Sequence, residues 1–248
     1  HHAGGVPALM KELEGKLHLS CMTVTGRTVG ENLQDAGFAY NRDVIRSLAN
    51  PLMPTGGMCI LKGNLAPNGA VIKRSAATER LLHHRGRAKV FDDLAAAEKW
   101  LADPASPVDE DMVVVLRGYG PKGAPGMPEF GNYLPVPPAL HKKGIDDYLR
   151  ITDSRMSGGC FGSIILHVSP EAQVGGPLAA VRDGDIIHVE ADENLLEVEL
   201  SEAEIASRLK DFVPREHADI QRGFLKNFID HVQQADEGCD LDYLAGSF

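Results

Sequence analysis

A chain of 248 residues with 43% apolar and 24% charged side chains has the makeup of a folded globular protein, which excludes wholesale disorder. Its 26 Gly and 15 Pro imply many turns and argue against a simple helical bundle. With 25 basic against 35 acidic residues the net charge is −10, so the chain lacks the basic footprint of a nucleic-acid binder and carries the wrong sign for an anionic membrane surface.

The N-terminal stretch reads as helical. Pro7 suits the first turn of a helix over 6–14. Thr28 is placed to cap a second over 29–36, and 42–48 predicts a short third, stopped before Pro51. No apolar run approaches the roughly 18 to 20 residues of a membrane helix. No secretory signal pattern is visible at the start.

From residue 58 the pattern changes to short apolar runs bounded by Gly, Pro or Asn: 58–61, 70–73, 88–91, 112–116 and 163–168. These read as buried strands. Two alternating segments, 185–191 and 195–200, flank Asp192-Glu193-Asn194, which predicts a hairpin with one wet and one dry face. An antiparallel sheet or barrel follows from that alternation. Asp92 or Asp93 caps a helix to about Leu101, and Ser201 with Glu204 spells a capping box for a helix to about Phe212. A last helix is expected over 219–235, its stripe of Ile220, Phe224, Leu225, Phe228 and Val232 serving to pack.

Three segments carry more glycine and polar residues than scaffolding requires: 61–69, 117–129 and 150–162. The second contains Gly118, Gly120 and Gly123 in G-x-G-x-x-G spacing. A dinucleotide fingerprint needs a helix there and a carboxylate about 20 residues on. Pro121, Pro125 and Pro128 forbid the helix, and 139–143 holds no carboxylate. The loop is instead a proline-pinned arm ending at Glu129, which on composition alone is a solvated loop carboxylate. In the third segment, Asp153 and Arg155 are placed for a local ion pair, or Arg155 for a bidentate grip on a ligand carboxylate. Ser157 is open as ligand, nucleophile or base; a serine base needs help, which a nearby metal supplies.

Cys21, Cys59, Cys160 and Cys239 form no C-x-x-C pair, so no structural zinc site is expected and free thiols fit best. His83-His84 has no familiar metal spacing. His167, inside an apolar strand, reads as a hydrogen-bonded core residue.

Several stretches together resemble the dihydroxy-acid and phosphogluconate dehydratase family, including its sugar-acid branch: AGGVPALMKEL (3–13), TVTGRTVGENL (23–33), LKGNLAPNGAVIK (61–73), VVVLRGYGPKGAPGMPE (113–129), ITDSRMSGG (151–159) and HVSPEAQVGGPLAAVRDGDII (167–187). They match the C-terminal portion of such proteins, in family order. The resemblance implies an α+β fold: a C-terminal β-barrel of the swivelling β/β/α, aconitase-like type with flanking helices. It divides the chain into a helical lead-in (1–55) linked to a missing N-terminal domain, a barrel (56–200), and C-terminal helices packing on it (201–248).

The same resemblance implies that Glu129, ending G-M-P-E, is a Mg²⁺ ligand, and that Ser157, in R-M-S-G, is the general base. Arg155 and Gly158 flank that serine as substrate-binding residues. An iron–sulfur cluster is implied too, with its ligands in the missing domain; no cysteine here falls on the family's ligand motifs. The implied reaction removes water from a 2,3-dihydroxy carboxylate to give a 2-oxo acid. The reading T-D-S-R-M-S-G in place of T-D-G-R-F-S-G, and the tail 231–244, favour a pentonate or hexonate over dihydroxyisovalerate. The implied partners are a small hydroxy acid, the missing domain and further copies of the chain, not nucleic acid or membrane. The expected compartment is the cytoplasm, or the mitochondrion in a eukaryote. The isolated chain is expected to be inactive by itself.

Overall fold

A computed structural model of the chain describes residues 1–126, 129, 134–157, 159 and 161–244. They form two compact units, His1–Gly56 and Gly57–Phe248.

In the first unit, α1 (Gly5–Glu12) carries Pro7 in its first turn. Helix α2 (Val29–Gln34) starts at Thr28, whose hydroxyl accepts from the Glu31 amide at 3.2 Å while the Glu31 carboxylate accepts from the Thr28 amide at 2.7 Å. That reciprocal cap fixes the start of the helix. The helix expected over 42–48 is absent. A turn begins at Asn41, whose carbonyl accepts from Ile45 at 3.1 Å, and stops there. Val44 and Leu48 stay exposed, and so short a segment without packing does not repay the cost of helix nucleation. The buried residues of this unit are Ala3, Ala8 and Leu33.

The second unit is a closed eight-stranded barrel. Its strands are β1 (Cys59–Gly63), β2 (Ala66–Ile72), β3 (His83–Phe91), β4 (Val113–Leu116), β5 (Leu149–Thr152), β6 (Ile164–Ser169), β7 (Ile186–Glu190) and β8 (Leu195–Val198), arranged β1-β2-β6-β5-β4-β3-β7-β8. The expected hairpin is present as β7 and β8. The sheet is not purely antiparallel, however: β3 to β4, β4 to β5 and β5 to β6 are parallel pairs. Every residue of β4 and β5 is buried. Val113, Val115, Leu149 and Ile151 fill the barrel interior. Val114 and Leu116 face an outer layer with Phe91, Leu101, Leu140 and Tyr148. Helices α3 (Leu94–Ala102) and α4 (Pro138–His141) supply that cover. Two-sided burial explains the continuous apolar runs, as parallel strands require.

The 61–69 segment, read as more than scaffolding, closes the barrel. Asn64 extends the seam like a strand backbone: its Nδ2 donates to the Val198 carbonyl and its Oδ1 accepts from the Val198 amide, both at 2.8 Å. A Cβ on Gly63 would lie 2.2 Å from the Leu196 carbonyl oxygen, so no side chain fits at that crossing.

At the C-terminus, α5 (Glu202–Leu209) begins at Ser201, which accepts from the Glu204 amide at 3.2 Å. The other half of the expected box is missing, because the Glu204 carboxylate turns to Arg208 at 2.7 Å. Helix α6 (Phe224–His231) is shorter than its apolar stripe predicts, and Gly223 at φ 87° marks its start. None of its residues is buried, and Phe224 is 74% exposed. Among the described residues no helix is long and apolar enough to cross a membrane.

Candidate functional site

Strands β4 and β5 are adjacent and parallel, with Leu116 level with Thr152. The loops that follow them therefore leave the same end of the barrel, side by side. The carboxyl ends of neighbouring parallel strands are where α/β sheets commonly present ligand-binding loops. Here they bring the second and third glycine segments together.

Two buried carboxylates anchor the loop after β4. Asp153, the first residue beyond β5, is fully buried and accepts from the amides of Gly118 and Tyr119 at 2.9 Å each and of Ala172 at 3.0 Å. It is thus not the partner of Arg155, as sequence proximity predicts. Burial pushes its carboxyl up to about 6, against the pull of the three amides and with help from the charge of Glu171. Glu171 is 1% exposed and accepts from Lys122 and Gly123 at 2.9 Å each and from Gln234 at 2.8 Å. A Cβ on Gly120 would sit 2.6 Å from a Glu171 oxygen. The G-x-G-x-x-G spacing is explained by these contacts: its backbone amides cradle two carboxylates of the protein itself, as such concave amide nests do for anions.

A third buried cluster supports β5 from below. Asp147 pairs with Arg150 at 2.9 Å, and both are about 5–6% exposed. Burial works against the charge on Asp147. The Ser163 hydroxyl and amide, the Thr78 hydroxyl and the Arg150 charge outweigh it, and hold the carboxyl below its ordinary value.

On this anchored base the loop returns to Glu129, which pairs with Arg155 as an isolated parallel bridge. Arg155 Nη1 donates to Glu129 Oε1 at 2.7 Å. Their side chains are 42% and 38% exposed, so the pair is open to small molecules. Glu129 is therefore not merely solvated; it is held. Ser157 lies two residues beyond Arg155, half-buried, and its Oγ accepts from the Gly159 amide at 3.3 Å. Gly158 lies outside the described residues.

Sequence reasoning missed Asp153 and Glu171 as anchors, because nothing in their neighbours distinguishes them from surface carboxylates. It also misplaced His167. That residue is half-buried rather than in the core, its φ is 52°, and its buried Nδ1 has no hydrogen-bond partner among the described residues. No local pattern announces such a conformation in an apolar strand.

Glu129 suits a Mg²⁺ ion as one hard oxygen ligand. Among the described residues there is no group of three His, Cys, Asp or Glu side chains able to hold a metal. The described residues thus offer this one carboxylate and do not form a cluster site. Cys59 is buried, its thiol donating to the Ala191 carbonyl at 3.3 Å and to Asn194 at 3.0 Å, and burial pushes the thiol up.

Comparison with known proteins gives this geometry a context. Residues 43–239 match the family described as dihydroxy-acid/6-phosphogluconate dehydratase, C-terminal. The chain is 49% identical over 247 residues to a 6-deoxy-6-sulfo-D-gluconate dehydratase of Pseudomonas putida, covering 98% of this chain and 42% of that protein. It is 45% identical over 255 residues to an L-arabonate dehydratase of Azospirillum brasilense, covering 100% and 43% respectively. It is also 45% identical over 246 residues to a dihydroxy-acid dehydratase of Acetivibrio thermocellus, covering 97% and 43%. The chain thus spans less than half the length of the curated relatives it matches.

Proposed function

The chain belongs to the dihydroxy-acid/6-phosphogluconate dehydratase family, and from that premise we propose that it forms part of a longer enzyme that dehydrates a sugar acid. The reaction breaks the C2–H and C3–O bonds of a 2,3-dihydroxy carboxylate, releases water and leaves an enol that ketonises to a 2-oxo acid. The observation that carries this reading is the meeting of Glu129 and Arg155 at 2.7 Å, with Ser157 two residues away, at the shared end of β4 and β5.

In this reading Glu129 contributes one ligand to a Mg²⁺ ion whose other ligands come from the rest of the longer protein. The metal, when bound, supplies a chelating positive charge for the substrate carboxylate and 2-hydroxyl, and so acidifies the C2 proton. Ser157 Oγ takes that proton as general base. Arg155 orients Glu129 and adds positive charge beside the substrate carboxylate. Asp153 and Glu171 hold both loops in register, so that these groups need not be ordered at the moment of reaction. The iron–sulfur cluster is assigned to the longer protein beyond this chain, and no step is derived through it. The isolated chain accordingly has no turnover of its own. The buried free thiol of Cys59 fits a reducing compartment, for which we propose the cytoplasm.

The relatives favour a pentonate or hexonate, since two of the three named above act on sugar acids. The second reading, dihydroxyisovalerate, rests on the equal identity to the dihydroxy-acid dehydratase. Assay of 2-oxo acid formation by the anaerobically prepared longer protein separates them. Turnover of aldonates and not of dihydroxyisovalerate is expected. Turnover of dihydroxyisovalerate alone would reverse the assignment.

A further inference from the structure

The chain beyond α5 takes no part in the reaction as read above, yet it reaches the loop that leads to Glu129. Arg215 lies over the Tyr119 ring, 4.8 Å from its centroid. Its amide donates to Gln173 Oε1 at 3.1 Å, and its carbonyl accepts from Gln173 Nε2 at 2.7 Å. Two residues on, His217 Nε2 meets the Lys122 carbonyl at 2.9 Å. After α6 the tail returns at Gln234. Its Oε1 accepts from the Glu171 amide at 2.9 Å, and its Nε2 donates to Glu171 Oε1 at 2.8 Å.

These contacts converge on Lys122. Its amide donates at 2.9 Å to Glu171 Oε1, the same oxygen that Gln234 meets. Its carbonyl is the acceptor for His217, which makes Nε2 the protonated ring nitrogen. Both backbone polar groups of Lys122 therefore depend on the tail, one directly and one through Glu171. Outside helix and strand, a backbone takes its place from such bonds. This stretch needs them, because Gly118, Gly120, Gly123 and Gly126 make it costly to order. Beyond Lys122 the chain is stiffer: the Ala124 amide donates to the Gly120 carbonyl at 2.9 Å, and Pro125 has a fixed φ. A shift at Lys122 is thus passed on toward Glu129 rather than absorbed.

Resting on the dehydratase reading, we propose that His217 and Gln234 are positioning residues for the reaction. The tail grips Lys122 from both sides, and so sets where Glu129 stands against Arg155 and Ser157. Glu171 by itself fastens only the amide side of that residue; His217 fastens the carbonyl side.

The test uses the longer protein and two readouts, one of which needs no turnover. His217→Leu removes a donor, and Gln234→Met removes a donor and an acceptor at similar length. Both residues are half-buried, so the barrel is expected to fold in each variant. His217→Gln places an amide Nε2–H where the ring donor stood. Hydrogen exchange over 117–126, followed by mass spectrometry, should quicken about tenfold in the first two variants, the size of one lost hydrogen bond. Kinetics are measured with whichever of D-gluconate and 2,3-dihydroxyisovalerate the wild type turns over. There kcat should fall about 10- to 100-fold, as slight misplacement of reacting groups produces, with KM within about threefold. His217→Gln should restore both readouts to within about threefold of the wild type. Unchanged exchange, an unchanged kcat, or a loss that tracks a lowered thermal midpoint and is not rescued by His217→Gln overturns the positioning role and leaves the dehydratase reading intact. A wild type that dehydrates neither acid defeats that reading, and with it any role of the tail in the reaction.

Discussion

Two sets of carboxylates in the barrel unit behave in opposite ways. Asp147, Asp153 and Glu171 are sealed in, each meeting several donors from the protein. Glu129, on the loop that Asp153 and Glu171 anchor, is more than a third exposed and meets Arg155. The difference teaches that burial decides the task. A sealed carboxylate with all its lone pairs engaged has nothing left for a ligand and serves as a fastener. An open carboxylate held by a cation keeps a lone pair for chemistry.

Breaking the sealed set should cost most. Asp147→Ala leaves Arg150 charged, buried and without its ion-pair partner, which should lower the unfolding free energy by about 3–5 kcal/mol in urea titration. A loss under about 1 kcal/mol would mean that water reaches the cluster.

Asp153 comes next, and its signature is a pH dependence. Its folded value of about 6 lies above the ordinary 3.8. The native state therefore binds more protons between these limits, and this group's contribution to stability is full at low pH and falls as pH rises through about 6. Across that window the stability of the wild type relative to Asp153→Asn should decline by about 3 kcal/mol. A difference that stays flat with pH would show that the three amides already compensate the charge.

Gly120→Ala forces a Cβ to within 2.6–2.9 Å of the Glu171 side chain, and about 1–3 kcal/mol of destabilisation is expected from the overpacking. The smallest effect belongs to the open pair. Glu129→Gln should change stability by less than about 1 kcal/mol, because exposed ion pairs contribute little. Thermal unfolding of the two variants side by side ranks them, and a larger effect at Glu129 would place that residue among the fasteners.

The sequence made part of this legible. Alternation in 185–191 and 195–200 announced the hairpin, and uniform apolar runs such as 112–116 announced strands buried on both faces. Strand direction was not legible, because it depends on crossovers rather than on residue pattern. Glu129, Arg155 and Ser157 stood out by their glycine and proline setting and by family resemblance, but that Glu129 and Arg155 touch is a consequence of two parallel strands ending level. Asp153 looked like the partner of Arg155 because residues two apart on an extended chain share a face; the chain instead bends at 153–154, and the Asp153 carboxylate is taken by the amides of Gly118, Tyr119 and Ala172. Helix α6 shows the converse limit: an apolar stripe was visible in the sequence, yet of that stripe only Val232, just past the end of the helix, is buried.

The central claim is that the open set performs the dehydration while the sealed set only supports it. The most direct measurement is 2-oxo acid formation by the longer protein carrying Ser157→Ala, alongside its thermal midpoint. The account predicts a loss of kcat of about 10²–10⁴ with an unchanged midpoint. Retention of activity within a few-fold, or a loss that only follows unfolding, would contradict it.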